Sequence, residues 1–163
     1  FEGEAEQADD ITVMALRFVG NPEDAPRASF AVVAANELPE IAKVRAGFED
    51  FAEEAGVPAA VAVRFALALD ELLSNIISHA YRDDDAHAIE VKAELTGRRL
   101  ALTVADDGIP FNPLLAEVPD TDASIEDRDV GGLGIHLVQS VVDDFHYHRR
   151  IDKNVVTLIK ELD

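Results

Sequence analysis

The chain predicts a two-layer α/β (α+β) sandwich, a mixed β-sheet with helices on one face. Three observations predict it. Two consecutive segments, 38–55 and 59–80, repeat apolar residues at helical spacing. Two segments after them, 89–95 and 100–104, alternate apolar and polar residues as half-buried strands do. The order strand, two helices, two strands, long polar stretch, helix, two strands gives helices enough to cover only one face of one sheet. At 163 residues the chain can build one domain with a real core but not two full ones.

Residues 1–20 read as an acidic lead and a strand at 11–18, and 21–26, with Pro22 and Pro26, has linker composition. A strand is expected at 28–34. The helix after it carries Ile41, Val44, Phe48, Phe51 and Ala55 on one face and stops at Gly56. Pro58 suits the first turn of the next helix, whose apolar face holds Val61, Phe65, Leu69, Leu72, Leu73, Ile76 and Ala80. Ile89, Val91, Ala93 and Leu95 then alternate with Glu90, Lys92 and Glu94, and a turn at Gly97 leads to Leu100, Leu102 and Val104. Residues 112–130 are polar and acidic without a period, the kind of long loop that serves function or is disordered. A helix is expected at 133–142, then strands at 145–151 and 155–160 joined by a turn at Asp152-Lys153-Asn154.

Composition excludes several classes. Hydrophobic residues make up 48% and charged ones 29%, as in a folded soluble domain. No apolar run approaches the ~20 residues of a membrane span, and the N-terminus is no signal peptide. Cys is absent, which removes disulfides and Cys-ligated zinc and fits a reducing, cytoplasmic setting. The formal net charge of −19 opposes nonspecific nucleic-acid binding and anionic membranes, so neither is expected as a partner. Its simplest meaning is solubility. Because Phe1 stands where an initiator Met would, a fragment of a longer polypeptide is expected.

Three blocks carry chemistry. In the second helix Glu71, Asn75 and His79 fall at i, i+4 and i+8 and share a stripe. Such a stripe is ordinarily a wet face. Yet Asn is a poor helix former in mid-helix, and its amide oxygen suits Mg²⁺ as a hard ligand. The second block, Asp106-Asp107-Gly108-Ile109-Pro110-Phe111, follows a strand; alone it reads as a turn, but ligands gather at strand C-termini in α/β folds. The third, Gly131-Gly132-Leu133-Gly134, opens a helix. It is either a sharp turn or a place where free N–H groups and the helix dipole receive phosphate. Together the blocks describe a nucleotide pocket. His79, His136, His146 and His148 read as ordinary residues; His146 and His148 share a strand face without a third ligand at metal spacing.

In this combination the chain resembles the GHKL ATPase superfamily over about 27–163, and in detail its anti-sigma-factor serine kinase branch. The resemblance implies the Bergerat-type fold, ATP with Mg²⁺, and a role for each matching residue. Asn75 would bind Mg²⁺. Glu71, where sensor histidine kinases have Asn, would act as general base toward a hydroxyl. Asp106, rather than Asp107, would accept from the adenine amine, and Gly108 would let the base approach. Gly132 and Gly134 would sit near phosphate at the end of a mobile lid. That lid is acidic here, with Glu117, Asp120, Asp122, Glu126, Asp127 and Asp129 against Arg128, which predicts weak affinity or strong Mg²⁺ dependence. Thr157, facing inward or outward on the last strand, matches a Thr that helps hold adenine; by propensity it is an ordinary strand residue.

The implied function is phosphorylation of a Ser on an anti-sigma-factor antagonist, with a sigma factor as second partner and a homodimer as an assembly the resemblance allows. The alternative is a non-catalytic, nucleotide-gated module that sequesters a partner. A histidine kinase half is disfavoured by Glu71 and by the missing dimerisation helices. Asp9-Asp10-Ile11-Thr12 resembles the end of a PPM-type Ser/Thr phosphatase, in which Asp9 would help hold a metal within an intact domain; the bland reading is an acidic strand.

Overall fold

A computed structural model of the chain describes residues 25–83, 85–113 and 142–163. The elements are β1 (Ala28–Ala35), α1 (Leu38–Glu54), α2 (Ala59–His79), β2 (Ala88–Thr96), β3 (Arg99–Asp106), β4 (Asp144–Arg150) and β5 (Lys153–Glu161). Expectations for the strand at 11–18, the segment 114–130, the glycine block and the helix after it fall outside these residues.

Helix α1 begins with Pro39 in its first turn, where the missing N–H costs nothing. It ends in a Schellman motif. Gly56 takes φ +69, its N–H bonds Glu53 O at 3.1 Å, and the Val57 N–H bonds Ala52 O at 2.8 Å. Val57 and Ala52 are both buried, the apolar contact that accompanies this cap. The chain then turns directly into α2.

The strands form one sheet in the order β1-β2-β3-β5-β4. All four pairings among the described residues are antiparallel. Register stacks Val32, Val91, Val104 and Val156 across one face, and Phe30, Ala93, Leu102 and Leu158 in the next row. Against this face lie Val44, Phe48 and Phe51 of α1 and Phe65, Leu69, Leu72 and Leu73 of α2, all buried. Phe48 stacks on Phe65 with ring centroids 6.4 Å apart. Each such side chain contributes about 1.5–3 kcal/mol by leaving water. No helix among the described residues is long and apolar enough to cross a membrane.

The last hairpin differs from expectation. Arg150 pairs with Lys153, so the loop is Ile151-Asp152, and Asn154 lies inside β5. Asn favours turns by propensity, but the pairing of Arg149 with Asn154 holds it in the ladder. Ile151 consequently takes φ +56 at the first loop position, where a II′ hairpin ordinarily has Gly.

Candidate nucleotide site

The C-terminal half of α2, the turn after β3 and the start of β5 enclose a cavity of about 270 Å³. Leu72, Ile76, Ala80, Ile109, Phe111, Pro113 and Val156 give it apolar walls, and Asn75, His79, Asp106 and Asn154 supply its polar groups. A mostly apolar pocket with a few placed polar groups suits a flat heterocycle.

Asp106 ends β3 on the inward side of the sheet, two positions past Val104. It is 4% exposed. Oδ1 accepts from the Gly108 N–H and from Asn154 Nδ2, both at 2.9 Å. Among the described residues Oδ2 is engaged by no hydrogen bond, which leaves one acceptor for a ligand. Burial pushes this carboxyl above the ordinary range; Asn154 and the Gly108 N–H pull it back, Asp107 raises it and Arg149 lowers it. Asp107, next in sequence, is exposed and turns outward to His87 Nδ1 at 3.1 Å.

Gly108 packs closely against the end of α2. A Cβ there would lie 2.5 Å from Ala80 Cβ, 2.7 Å from Ala80 O and 2.9 Å from Asp106 Oδ1, so no side chain fits between this turn and the end of α2, beside the cavity that Ala80 and Asp106 line. That close approach lets the Ile109 N–H bond Ala80 O at 2.9 Å, tying the helix end to the turn.

Asn75 lies at the cavity, and Glu71 lies one turn further along α2, outside its lining. Asn75 donates through Nδ2 to Glu71 Oε1 at 3.0 Å. The helix rises about 1.5 Å per residue, so Ala80, Asn75 and Glu71 stand at successive positions along α2. Among the described residues no three carboxylates or histidines converge as a metal site. The donor set still fits Mg²⁺, which keeps waters and binds through phosphate oxygens with one or two protein ligands. Asn75 Oδ1 is the candidate ligand.

Thr157 requires a correction. It pairs with Thr103, Oγ1 to Oγ1 at 3.3 Å, on the face opposite Val156 and Leu158. Strand alternation turns it away from the cavity. The residue that reaches Asp106 from β5 is Asn154, which the sequence reading assigned to a turn. Its signal was present: Asn154 shares a period-2 face with Val156 and Leu158, and a polar residue on a buried face asks for a partner. A second group went unread. Tyr81 stacks on His87 with centroids 4.1 Å apart, and His87 Nε2 bonds Asp83 Oδ1 at 2.8 Å. The Tyr81 hydroxyl is buried without a partner among the described residues. Burial, then Asp106 and Asp107, hold its ionisation well above the ordinary tyrosine value. No spacing in the sequence announces this group. Gly132, Gly134 and Asp9 lie outside the described residues.

A buried carboxylate with one uncommitted oxygen stands beside an apolar cavity on a helix-covered antiparallel sheet, an arrangement able to hold a nucleotide base. The chain belongs to the histidine kinase-like ATPase domain family, whose model matches residues 34–160. It is 36% identical to the serine/threonine-protein kinase BtrW of Bordetella bronchiseptica over 98 residues, 59% of this chain and 69% of that protein. It is 35% identical to the serine-protein kinase RsbW of Bacillus cereus over 82 residues, 48% of this chain and 51% of that protein, and so spans about half that relative's length. By these relatives the chain is classed with the protein serine kinases of the family. Its fold is similar to the crystal structure of the RsbU and RsbW domains of Rv1364c from Mycobacterium tuberculosis, with TM-score 0.62 and 18% identity, covering 85% of this chain and 33% of that one.

Proposed function

We propose that the domain transfers the terminal phosphoryl group of ATP, bound with Mg²⁺, to a serine hydroxyl on an anti-sigma-factor antagonist, and thereby controls the availability of a sigma factor. The observation that carries this reading is the pairing of Glu71 with Asn75 on the helix that floors the Asp106 cavity. It puts a carboxylate, able to orient a hydroxyl and take its proton, one turn from the residue suited to the phosphate-bound metal. In this scheme Asp106 accepts from the adenine amine, Gly108 keeps the turn against α2, and Gly132 and Gly134 contact phosphate. The similarity to BtrW and RsbW supports a serine acceptor. Residues 27–163 form this domain in the proposal. The tract Asp9-Asp10-Ile11-Thr12 supports an upstream PPM-type phosphatase domain that ends near residue 20.

The test is transfer of labelled phosphate from ATP to a candidate antagonist, with its serine replaced by alanine as control. Serine-dependent labelling that requires Mg²⁺ supports the kinase. ATP-dependent partner binding without any labelling would instead make the domain a nucleotide-gated binding module.

A further inference from the structure

The side chain of Asn154 has all its hydrogen-bonding capacity committed, and its partners come from three parts of the chain. Nδ2 donates to Asp106 Oδ1 and to Ile109 O, each at 2.9 Å. Oδ1 accepts from Tyr147 OH at 2.9 Å, from Arg149 Nη1 at 2.8 Å and from the Phe111 N–H at 3.4 Å. Among the described residues Asp106 and Asn154 are the buried polar side chains, each 4% exposed, and they bond to each other.

An amide can sit in a cleft in two orientations, and here the surroundings admit one. On one side stand two acceptors, a carboxylate oxygen and a carbonyl; on the other stand donors, of which the Arg149 guanidinium donates and never accepts. Turning the amide over would set its NH₂ against that guanidinium and its oxygen against Asp106. Arg149 also donates to Gly108 O at 3.1 Å and, through Nη2, to Asp152 O at 3.2 Å, so it spans the hairpin loop and the turn after β3.

We propose that Tyr147 and Arg149 of β4 are positioning residues for nucleotide recognition. They fix the Asn154 amide so that Nδ2 saturates Asp106 Oδ1, which leaves Oδ2 as the single acceptor presented to the ligand. The hairpin β4–β5 thereby selects purines that carry an exocyclic amine at the position facing Asp106. This rests on the assignment of the cavity to the base of ATP. Neither side chain lines the cavity itself, so both act through Asn154.

The experiment compares ATP with purine riboside triphosphate, which lacks the 6-amino group, by titration calorimetry in the presence of Mg²⁺. The wild type, Tyr147→Phe, Arg149→Met and the double variant are compared, with Asn154→Ala as the limiting case. Wild type should prefer ATP, and the double variant should lose about tenfold in ATP affinity, the range of a weakened buried hydrogen bond. Its affinity for the amine-free analogue should stay within about twofold. An equal loss for both nucleotides would mean general loosening and overturn the positioning role. Unchanged affinity for both in the double variant would overturn it as well. If wild type itself fails to discriminate, the assignment of Asp106 to the base amine fails first, an outcome separable from the other two. Should Asn154→Ala not fold, the single variants on β4 still decide the matter, since Arg149 is exposed and Tyr147→Phe keeps the ring that packs against the core.

Discussion

Asn75 donates its amide Nδ2 to Glu71 Oε1 at 3.0 Å, across one turn of α2. The two side chains therefore act as one unit. In the proposed reaction this bond would leave the Asn75 amide oxygen for the phosphate-bound cation and hold the Glu71 carboxylate beside it, so that a single contact would couple metal binding to activation of the hydroxyl.

Replacing Glu71 and Asn75 should consequently give unequal results. Glu71→Ala is expected to bind ATP with near wild-type affinity while phosphotransfer falls by about 10²–10⁴-fold, the usual contribution of a positioned base. Asn75→Ala should weaken the Mg²⁺-dependent part of binding and also slow turnover, because Glu71 loses its anchor. Calorimetry with and without Mg²⁺, beside turnover on the antagonist, separates the two. Wild-type turnover in Glu71→Ala would remove the base.

Asp106→Asn should trade stability against recognition. Burial raises the folded pKa of Asp106 above its unfolded value, so the native state binds its proton more readily. Wild-type stability owed to this group rises as pH falls toward the ordinary carboxylate range and drops as pH rises through the folded pKa. The amide removes that slope, and its melting temperature at neutral pH should match or exceed wild type. ATP affinity should fall by the ~1–3 kcal/mol of a mismatched buried polar pair. A large loss of stability without ligand would contradict this account.

His87 links Asp83 and Asp107, and its pKa is raised, chiefly by the hydrogen bond to Asp83; desolvation opposes the rise and Asp107 adds to it. Asp83 is lowered in concert. The sign follows: this contribution is complete below the unfolded histidine pKa of about 6.5 and is lost as pH rises through the folded value. A neutral ring has one N–H to give, so one carboxylate then loses its donor. The melting-temperature gap between wild type and His87→Gln should shrink as pH climbs past that range. A gap independent of pH would show that the ring is held by its stacking on Tyr81 alone.

Gly108→Ala tests the junction of turn and helix. The new methyl would meet Ala80 Cβ and a backbone oxygen well inside contact distance, and backbone cannot step aside. A cost of about 1–3 kcal/mol in denaturant unfolding is expected, with nucleotide binding reduced because Asp106 shares that turn.

Ile151→Gly should do the opposite. The side chain is 87% exposed and packs nothing, while its φ of +56 burdens a β-branched residue. Relief of ~1–3 kcal/mol of strain exceeds the ~0.5–1 kcal/mol of added chain entropy. Unfolding should show a net gain, and an unchanged midpoint would mean the turn relaxes without help.

Helix and strand identities were legible because they depend on neighbours in sequence. The periods at Val44, Phe48 and Phe51 and at Ile89, Val91, Ala93 and Leu95 state which side faces a core, whatever that core is. Gly56 likewise stops α1 through its own φ. The same locality explains the misreading at Asn154, where turn propensity was weighed without knowledge of the partner strand.

The sequence by itself determined the two amphipathic helices, the alternating strands, the helix stripe of Glu71, Asn75 and His79, and the place of Asp106 at a strand end. Tertiary structure alone decided that Asn154, 48 residues from Asp106, bonds it, that Thr157 faces away, that Gly108 serves the end of α2, and that His87 joins Asp83 to Asp107. The physical reason is the range of the forces involved. Periodicity and caps are settled within a turn or a few residues, whereas register and hydrogen-bond partners are settled only when distant strands pair and every buried polar atom must find a mate.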